Sequence, residues 1–547
     1  MIDSNLKRHR NMKKTSRRKF IATTGISFFA SSFAGAQNKS GVKDGVVGEP
    51  FAELEGAKIL SEGGNAVDAI ITAAATAAIT SPQMCGFGGY GGHLIVSLEG
   101  GKKISSFDFN TQAPLAANPG MFIEAGKPNL EKHTFGWQSF GVPGIPAGLH
   151  HALQKHGTMP WKRALAPAID YCLNGFKPSP QLSAALKSAT RLQKDPASLK
   201  LYYSKGDATS PSTLLKNPDL YKILQAMAED KSAEPFYKGE FAKKFASVVE
   251  QNKGILSYQD LASYKSIESA PLKLSWNDFE VFTAPLTSGG ITILQTLGIL
   301  KEMQLNNLPE KDRLFARIEA LRFAWRDRLN LLGDPDHAKV PQSKLLSSVY
   351  QKECGEQILD AVKNNKCMPP SRPTTTQNGT INLSAIDAGG NMAALTLTHG
   401  GYFGSQVSIE GLGITLGHGM SRFDIEPGRA NSIAPGKRPL NNMAPTVVQH
   451  KFKTIAALGG RGGRRIPNAV FEVVYQMIAE KKSLEQALEA PRIHTEGNLE
   501  VYLEKGLNEQ NLARLNTAGL KAKTGISAVI SAVGKADENA PAVVSMR

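Results

Sequence analysis

Thr380 and Thr398 are the two residues whose type and spacing suggest covalent chemistry. If the chain is cut ahead of Thr380, that residue gains a free α-amine with a reference pKa of about 7.7–8.0. The amine can take the proton of its own hydroxyl, so nucleophile and general base reside in one residue. An uncut peptide nitrogen cannot do this, and an enzyme built this way begins as an inactive precursor.

Two strands must position such a pair. Thr380-Ile-Asn-Leu-Ser-Ala-Ile386 alternates as a strand does, Asp387-Ala-Gly-Gly-Asn391 reads as a turn, and Met392 to His399 alternates again. With the turn centred on Gly389, Thr380 falls opposite Thr398, and facing β-carbons lie about 5 Å apart. A slip of one residue would separate the hydroxyls. From the hairpin alone, a threonine that merely opens a strand is the simpler account, since threonine favours strands. Just upstream, residues 364–379 (NNKCMPPSRPTTTQNG) are polar, Pro-rich and aperiodic, which predicts a flexible linker that stops at Gly379.

Further upstream, residues 51–80 read as two helical pieces broken at Gly63-Gly64, with Asn65 as the N-cap of the second. The glycines of 86–92 match neither G-x-G-x-x-G ahead of a helix nor a P-loop, and predict close chain packing. Residues 140–360 are mainly helical in pattern: 147–155, 161–173, 215–228, 240–251, 291–303 and 314–332, with a strand at 279–282. His150, His151 and His156 lack i, i+4 spacing and no H-E-x-x-H occurs, so they read as a surface helix. The sequence calls for no metal and no cofactor.

The 547 residues are 41% hydrophobic and 20% charged, ordinary for a globular protein. The net charge of +16 suggests a nucleic-acid binder until residues 1–36 are set aside: they hold eight Lys/Arg against Asp3 alone. The remaining +9 is spread over 511 residues with no basic helix interleaved with aromatics, which argues against nucleic acid. Residues 1–36 have a basic start, Arg17-Arg18 before Phe20-Ile21, a short apolar run to Phe33, and Ala34-Gly35-Ala36. They resemble a twin-arginine export signal, removed on maturation and not a membrane anchor, and predict a periplasmic or secreted protein. Four cysteines exclude a disulfide-built scaffold, although export would let Cys354 and Cys367 pair if they met. No G-x-S-x-G accompanies His399 or His418, against a Ser-His-Asp hydrolase.

Several long stretches occur in a familiar order: GGNAVDAI at 63–70, FGVPGIPAGLHHALQKHGTMPW at 140–161 and LAPAIDYCLNGFKPSP at 165–180. FYKGEFA at 236–242, GDPDH at 333–337, PGKRPLNNMAPT at 435–446 and LGGRGGRRI at 458–466 follow. On these, the chain resembles the gamma-glutamyltransferase family of N-terminal-nucleophile hydrolases over nearly all of residues 45–547. The resemblance implies an α+β fold, a four-layer αββα sandwich, and self-cleavage between Gly379 and Thr380. It implies a large subunit (37–379) and a small subunit (380–547) that stay together. Thr380 then matches the nucleophile, Thr398 the threonine that supports it, and Gly462 and Gly463 the pair whose amides hold the oxyanion.

The acyl-binding positions depart from the family. Asn110 stands where an arginine clamps the substrate α-carboxylate, and Gly400 where an asparagine lies two places after the second threonine. Gly419 and Arg422 replace the glutamine and aspartate that hold the α-amino group, and Asn441-Asn442 replace a double serine. Arginine for aspartate turns attraction for an ammonium into repulsion, about 4 kcal/mol at 4 Å before screening. The expectation is a self-cleaving threonine amidohydrolase or acyltransferase acting on a small γ-glutamyl or related amide. Its alternatives are a non-glutamyl acyl group, such as a dicarboxylic monoamide, or a non-catalytic binding protein.

Overall fold

The hairpin of residues 380–398 forms with the expected register: Thr380 faces Thr398, and Ile386 faces Met392. In this computed structural model residues 37–204, 206–372, 379–507, 509–536 and 540–547 are described. The expected export signal at 1–36 and six residues of the expected linker, 373–378, lie outside the described residues. Asp387 closes the turn, accepting from the Asn391 backbone and side-chain nitrogens at 3.0 and 2.8 Å.

Around the hairpin runs a six-stranded sheet, in the order Gly45–Val47, Thr380–Ile386, Met392–Thr398, Gly91–Leu98, Lys103–Asp108 and Ile267–Ser269. A seven-stranded sheet takes the order Gln37–Val42, Ala542–Met546, Val529–Gly534, Lys453–Arg461, Thr446–His450, Phe279–Thr283 and Leu272–Trp276. Both sheets are antiparallel throughout. Strand alternation sorts the side chains. Ile386, Met392 and Ala394 meet Val447, Ala457 and Val533 between the sheets. Ile381, Leu383 and Ala385 point the other way, into a helical layer containing Ala66–Thr80 and Ile145–His156. On the far side, helices Gly290–Glu302, Glu310–Leu331 and Arg465–Ile478 cover the larger sheet. The result is the αββα sandwich that the resemblance implied.

Helix Ala66–Thr80 is buried on every side: it is mostly Ala and Ile, Asp68 is hydrogen-bonded at its start, and Thr76 and Thr80 donate to carbonyls one turn back. Asn65 caps it in a reciprocal box with Asp68, and Gly63, at φ +89°, turns the chain between the two helices. The helix expected from residue 215 begins instead at Pro218, because Leu215 bridges to Phe176 and Asn217 is the cap. His156 is buried against Glu268 (3.4 Å), not exposed on a surface helix. All four cysteines are free. Cys354 lies buried beside Tyr350 and Asp327, whereas Cys367 lies against Gly519, so the pairing considered above does not form. The glycine run is a packing device: a β-carbon at Gly88 would stand 2.3 Å from Ile414. Among the described residues no helix is long and apolar enough to cross a membrane.

Candidate active site

Thr380 opens its strand at the rim of the smaller sheet, buried, with its hydroxyl 3.2 Å from that of Thr398. The Thr398 hydroxyl also lies 2.5 Å from the carbonyl oxygen of Gly379 and accepts from the Gly400 amide at 2.7 Å. A hydroxyl has one proton and two lone pairs, which fixes the direction of these bonds. Thr398 donates to Gly379 and accepts from Gly400, so Thr380 donates to Thr398. The chain is continuous here, and the Thr380 nitrogen is an amide. Gly379 adopts φ +90°, and a β-carbon on it would stand 2.4 Å from the Gly401 carbonyl carbon. Only glycine fits that approach.

Behind the threonines, polar residues on the inter-sheet face fasten the strand. Thr396 donates to Asn382 at 2.8 Å, and Ser384 donates to the Ser531 carbonyl at 2.9 Å. Their signal in the sequence was three polar residues (Thr380, Asn382, Ser384) alternating with Ile381, Leu383 and Ala385, a strand buried on both faces. Gly462 and Gly463, at φ +137° and +65°, form the turn into helix Arg465–Ile478. Neither amide has a protein acceptor among the described residues. The positive end of a helix dipole there favours an anion.

A cleft of about 720 Å³ opens at Gly400 and Gly401, directly after Thr398, and is lined also by Tyr402, Arg422 and Asn442 together with Arg328, Arg372, Arg429 and Arg464; Thr380, Thr398, Gly462 and Gly463 do not themselves line it. Of the expected binding residues, Gly400, Arg422 and Asn442 therefore line it. Gly419 stands in the turn Gly419–Arg422, packed against Thr111. Asn441 is buried one step behind, its amide nitrogen 2.9 Å from His93 Nε2. Asn110 is buried, does not line the cleft, and donates to Thr287 Oγ1 and the Pro439 carbonyl, both at 2.7 Å.

The charges in the cleft are unequally compensated. Arg372 grips Asp424 with two bonds of 2.8 and 2.9 Å, Arg429 pairs with Glu426, and Arg464 faces Glu496 at 3.6 Å. Arg422 and Arg328 have no carboxylate partner among the described residues. Arg422 donates to the Gly400 carbonyl and to His418 Nε2, and its Nε has no acceptor. Arg328 donates to the Asn441 carbonyl. Burial, with Arg464 adding repulsion, pushes Arg422 down to about 10 and Arg328 down to about 9. Both remain cationic at neutral pH. Burial, and then Arg422, pushes His418 down to about 3, leaving a neutral imidazole that can accept.

A sequence model of the family described as Gamma-glutamyltranspeptidase matches residues 52–545. The chain is 33% identical over 504 residues to the "Glutathione hydrolase proenzyme" of Escherichia coli (strain K12), covering 88% of this chain and 86% of that protein. It is 31% identical over 487 residues to the "Acylase ACY 1 proenzyme" of Pseudomonas sp. (strain V22), covering 87% and 86%. The solved structure of a cephalosporin acylase from Bacillus halodurans shares the fold, with a TM-score of 0.82 and 23% identity, over 96% of this chain and 97% of that one. With a fold, a buried threonine pair and a family match that agree, the chain belongs to the gamma-glutamyltranspeptidase family and is an enzyme of its N-terminal-nucleophile hydrolase class.

Proposed function

We propose that this chain is an exported precursor that cuts itself between Gly379 and Thr380 and then works as a threonine amidohydrolase or acyltransferase. The observation that carries this reading is the bond from Thr398 to the Gly379 carbonyl, with Thr380 next in the same hydrogen-bonded chain. In the self-cleavage, Thr380 Oγ1 attacks the Gly379 carbonyl carbon while Thr398 stabilises the oxygen. The C–N bond breaks and the acyl group moves to Oγ1 as an ester. Water then hydrolyses the ester, freeing the α-amine of Thr380. The proenzyme names of the Escherichia coli and Pseudomonas relatives support a precursor that matures by cleavage.

In turnover, the Thr380 amine takes the hydroxyl proton as Oγ1 attacks the substrate amide. The amides of Gly462 and Gly463 receive the oxyanion; such a donor contributes about 2.7–4 kcal/mol. The Thr380 ammonium returns the proton to the leaving amine. Water or an acceptor amine then releases the acyl group. The substrate is a small γ-glutamyl or related amide; the acylase relative and Arg422 favour the second reading, an acyl group other than glutamyl. Export rests on the Arg17-Arg18 signal of the sequence.

The test is the full chain expressed in a Gram-negative host and followed on a gel with N-terminal sequencing. Two bands, one beginning at Thr380, are expected in the periplasm, and a single band for Thr380→Ala. Cleavage that persists at this bond in Thr380→Ala would sink the mechanism. Retention of an Arg17→Lys/Arg18→Lys double variant in the cytoplasm tests the export route.

A further inference from the structure

Two buried cations in one cleft, neither paired with a carboxylate among the described residues, form an incomplete arrangement, because an uncompensated charge out of water is costly. Arg422 is 9% exposed and Arg328 is 3% exposed, yet both line the cleft. Each lies close enough to Tyr90 to act on its hydroxyl, which burial raises to about 12 and both guanidiniums lower. Arg422 stands 5.9 Å from the Tyr90 ring. The other three arginines of the cleft each face an acidic side chain, so the surplus is confined to this pair.

Resting on the proposed function, we infer that Arg422 and Arg328 together form an oxyanion-binding subsite for the far end of the acyl group. The substrates of this enzyme are then amides of short dicarboxylic acids that carry no ammonium. Gly400 sets the reach: its amide binds the Thr398 hydroxyl and its carbonyl binds Arg422, so one residue separates the two groups. The Thr380 hydroxyl, which would carry the acyl group, lies 3.2 Å beyond that of Thr398, so the span from it to the Arg422 guanidinium is at most about 12 Å, room for an acyl chain of about four to six carbons. A carboxylate there would meet the guanidiniums of Arg422 and Arg328, which both line the cleft, in charge-assisted bonds. An α-ammonium at the same end would meet two cations. The position that could have clamped an α-carboxylate, Asn110, has spent its amide on the protein. Arg328 thus serves specificity as well as the loop at Asn441, a role no single feature of the sequence marks.

The test compares four p-nitroanilide or aminobenzoate amides on the processed full chain: glutaryl-p-nitroanilide, γ-glutamyl-p-nitroanilide, butyryl-p-nitroanilide and N-butyryl-4-aminobenzoate. Glutaryl-p-nitroanilide is expected to exceed both other anilides in kcat/KM by at least about 100-fold. Arg422→Gln is expected to cut the glutaryl-to-butyryl ratio by about 100-fold and Arg328→Gln by about 10-fold. The ratio within one preparation, with processing on a gel as the check of folding, separates recognition from damage. A preference for the γ-glutamyl or butyryl anilide, or an unchanged ratio in both variants, overturns the subsite and leaves the threonine mechanism standing. A preference for the aminobenzoate would place the anion on the leaving group and overturns the acyl assignment. Unprocessed chain with no turnover of any amide refutes the function beneath it.

Discussion

The hydroxyl of Thr398 donates to the carbonyl oxygen of Gly379 across 2.5 Å, and the same oxygen atom of Thr398 accepts from the Gly400 amide. The carbonyl proposed for attack is therefore polarised by a fully hydrogen-bonded neighbour before any substrate arrives.

Removing that neighbour exposes its part in maturation. Thr398→Ala is expected to slow precursor cleavage by about 100- to 1000-fold, the range of one lost oxyanion donor, while Thr398→Ser keeps most of the rate. A gel time course after a pulse of synthesis reads this directly. Equal rates in parent and Thr398→Ala would remove Thr398 from the mechanism.

Gly379 is expected to tolerate no side chain. Its φ of +90° disfavours any L-residue, and the added carbon would collide with the Gly401 backbone at 2.4 Å. Gly379→Ala should shift the Gly379 carbonyl away from Thr398 and leave uncut chain after the parent has finished, with the melting temperature reporting the strain separately.

A pH effect follows from Glu49, the buried residue that caps helix Pro50–Ser61 and accepts from Ala52. Burial, aided by the charge of Glu53, pushes its carboxyl up to about 7 from 4.5. The folded state thus holds a proton that the unfolded chain has already lost. Stability falls as pH rises from about 4.5 to 7 and levels off beyond. Glu49→Gln removes this loss and is expected to be more stable than the parent by about 3 kcal/mol at pH 8 and little different at pH 4.5. Urea unfolding at both pH values measures it; a gap that does not widen with pH would contradict the assignment.

Asp68 is fully buried and accepts from Asn65, from both the backbone and hydroxyl of Thr158, and from Met159. Asp68→Ala orphans these donors and is expected to cost about 3 kcal/mol or more in urea unfolding. Asn65→Ala, which removes the cap and the 2.7 Å bond to the His156 carbonyl, should cost less, about 1–2 kcal/mol.

Much of this structure was legible in the sequence where the physics is local. Strand periodicity and the short Asp387–Asn391 turn determine the hairpin, so Thr380 and Thr398 could be paired by counting. Asn65 announced its helix for the same reason. What escaped depends on distant partners. Leu215 leaves its helical pattern because Phe176 claims its backbone. Arg328 belongs to a 22-residue helix with charged residues along its whole length, and nothing in that pattern marks the one arginine that reaches the Asn441 carbonyl and the cleft. Asn110 was readable as a substitution, but its bonds to Thr287 and Pro439 come from chain 177 and 329 residues away.

The order of the strands bears on what a cut at Gly379 does to the molecule. In the smaller sheet, Thr380–Ile386 and Met392–Thr398 lie inside, with Gly45–Val47 on one flank and Gly91–Leu98 on the other. In the larger sheet, the four strands between Thr446 and Met546 are likewise enclosed by Gln37–Val42 and Phe279–Thr283. Each of the two resulting chains would thus be clasped by the other in both sheets. Pulling them apart would break four strand pairings and bare four sticky sheet edges on each chain at once. A chain cut there would behave as a single woven body whose halves leave each other only by unfolding, and the cut would be a one-way step without any further fastening.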